Sequence, residues 1–144
     1  MFHYHDGALS GYGLLSDQAW MIAALLDLHA ETGDRDVVER AEALAASMQA
    51  LLWDPVAGGY WDLPADQEST GLLRIRLKPF TDNAVAAIAL MRLAGLTGRA
   101  AYRESAERTL MHLATVAADY KHYAAPFGVA LDEWFRPPEP SRPA

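Results

Sequence analysis

The chain has no cysteine among its 144 residues. That excludes disulfides, thiolate nucleophiles and every cysteine-ligated zinc or iron–sulfur site. Long apolar runs are missing too: none approaches the ~20 residues a bilayer-spanning helix needs, so no membrane partner is expected. Basic residues are scarce, with 12 Lys and Arg against 19 Asp and Glu, a net charge of −7. An acidic surface repels a phosphate backbone, and no nucleic-acid partner is expected. The opening residues, Met1-Phe2-His3-Tyr4-His5-Asp6, hold no basic region followed by an apolar stretch. The expectation is a chain without a secretory signal, and, with cysteine absent, a cytoplasmic one. No phosphate-binding glycine loop, nucleophile elbow or metalloprotease helix occurs, and neither a cofactor nor a metal is expected.

What remains is a composition for folding. Hydrophobic residues make up 51% of the chain and charged residues 22%, values foreign to disordered segments. Residues 1–135 are read as one domain and 136–144, which carry Pro137-Pro138-Glu139-Pro140, as a flexible tail.

The sequence repeats itself with a shift of 65 residues. Ser16-Asp17-Gln18-Ala19 falls over Thr81-Asp82-Asn83-Ala84, and Thr32-Gly33 over Thr97-Gly98. Each copy reads as two helices. Asp17 to Glu31 and Asp82 to Leu96 are apolar almost all round, the pattern of inner helices buried on several sides. Arg35 to Leu52 and Ala100 to Ala118 carry one apolar stripe each, the pattern of outer helices. Gly33 suits a left-handed C-cap and Asp34 an N-cap for the next helix. The expected layout is repeat one at about 16–53, a β-hairpin at 57–78, repeat two at about 81–119 and a last inner-type helix at about 123–135. The hairpin rests on Tyr60-Trp61-Asp62-Leu63 and the alternating run Leu72-Leu73-Arg74-Ile75-Arg76-Leu77. The fold class is therefore all-α: αα-hairpin repeats of an incomplete (α/α)6 toroid, with a small β-hairpin between them. Two and a half hairpins cannot close a ring of six. The exposed flanks of the inner helices then predict self-association as a dimer.

Several stretches together resemble a known family. They are Gly13-Leu14-Leu15-Ser16-Asp17-Gln18-Ala19, Leu28-His29-Ala30-Glu31-Thr32-Gly33-Asp34, Trp53-Asp54-Pro55-Val56-Ala57-Gly58-Gly59-Tyr60-Trp61-Asp62, Lys78-Pro79-Phe80-Thr81-Asp82-Asn83-Ala84-Val85-Ala86-Ala87 and Leu93-Ala94-Gly95-Leu96-Thr97-Gly98. In order and spacing they resemble the C-terminal part of the spermatogenesis-associated, thioredoxin-domain proteins and their bacterial relatives, over roughly residues 2 to 135. The resemblance implies a toroid of the six-hairpin glycosidase and N-acylglucosamine 2-epimerase type, with a sugar-sized cavity. This sequence has no Cys-X-X-Cys and lacks the first hairpins of that toroid, and the resemblance carries no list of catalytic residues.

Candidate chemistry gathers where the inner helices begin. Asp17 and Asp82 are equivalent in the repeat; packed helices sit about 8–10 Å apart, and inverting glycosidases hold their acid and base carboxylates roughly 6.5–9.5 Å apart. Aspartate is also favoured in a helix's first turn by unpaired N–H groups and the helix dipole. His122 opens the last inner helix and is the third catalytic candidate. Gln18 and Asn83 can bond a ligand hydroxyl or close a turn. Arg74, Arg76 and Lys78 share one face of a strand, to hold an anion or to pair with Asp62, Asp66 or Glu68. Trp53, Tyr60 and Trp61 surround the Gly58-Gly59 turn, as a stacking platform for a sugar ring or as a lid on the core. His3 and His5 lie in an N-terminal segment read as frayed. Three functions follow: a module that binds a sugar-like small molecule or completes an assembly, a carbohydrate-active enzyme such as a glycoside hydrolase or sugar epimerase, and a helical-repeat protein-interaction module.

Overall fold

A computed structural model of the chain describes residues 2–5, 9–65 and 75–136, with side chains from Tyr12 onward. In chain order the elements are β1 (Phe2–His5), β2 (Leu9–Tyr12), α1 (Leu15–Thr32), α2 (Asp36–Leu52), α3 (Phe80–Thr97), α4 (Ala100–Tyr120) and α5 (Ala125–Phe135). A 3-10 turn over Lys121–Ala124 leads into α5. The fold is all-α and built of helical hairpins.

The repeat is visible in the geometry. α1 and α3 are both 18 residues long, and they start at equivalent positions, Leu15 and Phe80. Both stop by the same local device. Gly33 (φ 69°) and Gly98 (φ 71°) take the left-handed conformation open to glycine and donate their N–H to His29 O and Ala94 O. The preceding threonines, Thr32 and Thr97, bond back to Leu28 O and Leu93 O at 2.7 Å each. Asp34 then accepts the N–H of Asp36 at 2.9 Å, so it caps α2 from one residue further out than the helix-flanking Arg35.

α2 packs on α1 and α4 on α3; α1 and α3 lie against each other, and α5 packs on α3 and α4. The outer helices bury single stripes, Val37, Ala41, Ala45, Met48 and Leu52 in α2 and Ala106, Thr109, Leu110 and Leu113 in α4. α3 is buried on nearly every face, as an inner helix should be. α1 is not: only Leu15, Gln18, Ala19, Ile22 and Leu26 are buried, although its sequence is as apolar. Among the described elements α1 packs mainly on α2 and α3, whereas α3 packs on α1, α4 and α5. Two ion pairs tie the hairpins together, Arg92 to Asp27 at 2.8 Å and Arg99 to Glu42 at 3.1 Å.

The β structure differs from expectation. Phe2–His5 is not frayed; it pairs antiparallel with Leu9–Tyr12, in the register Phe2 to Tyr12, Tyr4 to Ser10 and His5 to Leu9. Between the repeats the described residues hold no strand. The two arms expected there do meet, with the Asp62 N–H donating to Leu77 O and the Leu77 N–H to Asp62 Oδ1, both at 2.8 Å. Pro64 and Pro79 flank this contact and have no N–H to extend it as a ladder. Leu72 to Arg74, the connector from Asp66 to Gly71 and the tail from Pro137 lie outside the described residues. α5 begins at Ala125, two residues later than expected, with Pro126 in its first turn, where the missing N–H costs nothing.

Candidate functional site

The described parts of the segment between α2 and α3, residues 53–65 and 75–79, lie over the N-terminal ends of α1 and α3. Its first turn is organised by Asp54, whose Oδ1 accepts the N–H groups of Val56 and Ala57 at 2.8 and 3.3 Å. Gly58 (φ 73°) closes the turn. A Cβ there would meet Arg108 O at 2.6 Å, so neither the backbone conformation nor the space admits another residue.

Lys78 returns to this turn from 24 positions on. Its Nζ donates to Asp54 Oδ2 at 2.7 Å and to Gly58 O at 2.5 Å, and sits 4.9 Å from the Trp61 ring centroid. Both side chains are almost buried. The bond from Lys78 holds the Asp54 carboxyl down at about 2, outweighing the opposing effect of burial. His112 of α4 lies against Gly59, and burial, with Lys78 close by, pulls its pKa below the usual histidine value; Asp54 opposes the shift.

Asn83 is the second organiser. Its Oδ1 accepts the Tyr60 N–H at 2.7 Å while its Nδ2 donates to Tyr60 O and to Pro79 O, both at 2.9 Å. Both amide protons are committed to the chain, and the residue is fully buried. Tyr60 is likewise fully buried, with its hydroxyl donating to Gln49 at 2.7 Å, and burial raises its pKa far above the usual range.

Of the two arrangements open to the aromatics, platform or lid, the packing is mostly that of a lid. Tyr60 is inside. Trp53 packs on it at 5.1 Å and carries Arg108 at 4.9 Å. Trp61 has Arg76 at 5.0 Å in addition to Lys78, and Arg76 donates from Nε to Leu63 O at 2.7 Å. Lys78 pairs with Asp54, a residue outside the set expected across the hairpin. Arg74 lies outside the described residues, as do Asp66, Glu68 and the side chains of His3 and His5.

Asp17 and Asp82 each occupy the third position of their helix, one turn past the flanking residues Leu14 and Pro79. The repeat does make them equivalent. Asp82 Oδ1 accepts the Trp20 indole N–H at 3.2 Å, a bond from α1 to α3. Gln18 corresponds to Asn83 and is as deeply buried, but its Nε2 makes one bond, to Gly13 O at 2.9 Å, and its Oε1 has no partner. His122 stands in the 3-10 turn ahead of α5, exposed, with its ring tilted against that of Tyr123 at 4.1 Å. It is not in a helical first turn, and the structure does not bring it into the cluster.

Four participants escaped the sequence reading: Asp54, Arg108, His112 and Trp20. Asp54 had a signal, the turn-forming Asp-Pro-X-X-Gly-Gly that begins with it. Trp20 had a weaker one, a large aromatic where the second repeat has Val85. Arg108 and His112 sit on an amphipathic helix and look like ordinary outer-face residues. Among the described residues no three His, Asp or Glu side chains come together as metal ligands, and no helix is long and apolar enough to cross a membrane.

No family model matches the chain. Over 93 residues, 60% of its length, it is homologous to spermatogenesis-associated protein 20, with 34% identity to the Mus musculus protein, 36% to that of Rattus norvegicus and 34% to that of Homo sapiens. The matched stretch spans 12% of the length of each of these relatives.

Proposed function

We propose that this chain is an assembly module: part of an incomplete (α/α)6 toroid whose exposed inner-helix flank is meant to be covered by further helices. One observation carries this reading. Trp20, Met21 and Leu28 of α1 are 54%, 39% and 47% exposed, while their repeat equivalents Val85, Ala86 and Leu93 are 9%, 0% and 0% exposed. The same apolar pattern is thus interior in one copy and open in the other, and contiguous apolar surface marks an interface. The homology to one stretch of much longer proteins agrees with a module that works beside other parts. Light scattering behind a sizing column, with a hydrophobic dye in the sample, tests it. A dye-binding monomer leaves the flank open, and a dye-silent dimer covers it with a second copy. A dye-silent monomer contradicts the reading.

A second reading, a site for a sugar-like small molecule, is favoured by Trp20. Its indole edge is anchored on Asp82 while over half of the side chain faces solvent, so an aromatic surface stands beside a carboxylate where the inner helices begin. In that reading Asp17 and Asp82 bind the ligand, or catalyse its hydrolysis or epimerisation. Trp fluorescence titrated with monosaccharides checks it. A saturable response that Trp20→Phe abolishes supports the site, and no response removes it. Turnover lost in Asp82→Asn at unchanged stability would make the site an active one.

A further inference from the structure

The open edge of α1 carries more than apolar surface. In the interior copy, the N-terminal end of the inner helix is locked to the turn that precedes it: Asn83 takes both backbone groups of Tyr60, 23 residues upstream. Gln18 is the equivalent of Asn83 and is 1% exposed, yet its Oε1 accepts nothing, although buried polar atoms are nearly always paired. Counting 23 residues back from Gln18 runs past Met1. Among the described residues no turn takes, at Gln18, the place that the Tyr60 turn holds beside Asn83.

We infer that the α1 edge receives an αα-hairpin unit of this same 65-residue class, whose closing Gly-aromatic turn donates a backbone N–H to Gln18 Oε1 while its inner helix covers Met21, Ala24 and Leu28. This rests on the assembly reading above and names the partner. Two independent features point to it. The exposed face of α1 continues, by one repeat, the interface that α3 already makes, and the orphaned oxygen sits where the next turn belongs. A second copy of this chain does not fit, because its Tyr60 backbone is already held by its own Asn83.

The test extends the full chain by one unit. A second copy of residues 14–78 is inserted between Gly13 and Leu14, preserving the repeat. Each molecule then contains an outer and an inner Met21. Trypsin separates them, since residues 1–34 contain no Lys or Arg and the new Lys78–Leu14 junction is cleavable. On peroxide treatment the inner Met21 should oxidise several-fold more slowly than the outer one, with exposed Met111 fast throughout. Equal rates for the two copies overturn the proposal, as does an extended chain that fails to melt cooperatively. Gln18→Leu, at the sole Gln18 of the original chain and at the inner one of the extended chain, isolates the hydrogen bond. It should lower the melting temperature more in the extended chain. Equal losses, with Met21 still protected, overturn the Gln18 contact while leaving the assembly reading intact. Slow Met21 oxidation in the original chain at high concentration makes a second copy the occupant and overturns the proposal.

Discussion

α1 and α3 are one design in two positions. They share length, starting register and the threonine–glycine stop, and both are apolar almost all round. Yet α3 is interior and α1 is an edge: among the described elements α3 packs on inner-type neighbours on two sides, α1 and α5, while α1 packs closely on one, α3. Composition makes a helix fit for burial, and its place in the array decides whether burial occurs. The polar pair teaches the same lesson. Asn83 is saturated by the turn before it, while Gln18, with the same amide chemistry, is left with an unpaired oxygen.

The sharpest way to break this comparison is at that pair. Asn83→Ala leaves the buried N–H and C=O of Tyr60 without partners and should cost about 3 kcal/mol or more in urea unfolding. Gln18→Ala removes a single bond and an atom already unpaired, and should cost about 1 kcal/mol or less. Equal costs would mean that the two positions are equivalent in energy as well as in sequence.

A second contrast needs no polar chemistry. Leu93 is fully buried and Leu28 is its half-exposed equivalent. Leu93→Ala should lose about 3 kcal/mol by leaving a cavity, and Leu28→Ala under about 1 kcal/mol, measured in the same way.

The smallest effect is in pH dependence, which sharpens the picture of the turn over the helix ends. The folded-state pKa of Asp54 is depressed from 3.8 to about 2, so its contribution is present above 3.8 and is lost as pH falls toward 2. His112 is also depressed, which means that the unfolded chain binds its proton more readily. Stability therefore begins to fall as pH drops through the ordinary histidine value of 6.5. Denaturation midpoints against pH should show both losses, Asp54→Asn removing the lower one and His112→Gln the upper.

What the sequence made legible is what neighbouring residues determine. The repeat, the inner and outer helix types and the stops at Gly33 and Gly98 are written in runs a few residues long. The cluster over the helix ends is not. Asp54 finds Lys78 24 positions away, Asn83 finds Tyr60 at 23, and Trp20 finds Asp82 at 62. Periodicity carries no information about such pairings. That is why Asn83 and Lys78 can be read as ligand-binding or as structural residues, and why Trp53 and Tyr60 can be read as a platform or as a lid. The pairing of Phe2–His5 with Leu9–Tyr12 was missed for a different reason, because strands of four residues are too short for alternation to stand out.

The central claim is that α1 is an open edge and α3 the interior of the same array. Hydrogen exchange followed residue by residue tests it directly, since amides on an edge helix open at lower cost than those of a helix enclosed by neighbours. The account predicts that amides from Ala84 to Leu93 exchange more slowly than their equivalents from Ala19 to Leu28. Equal protection of the two stretches, or slower exchange in α1, would contradict it.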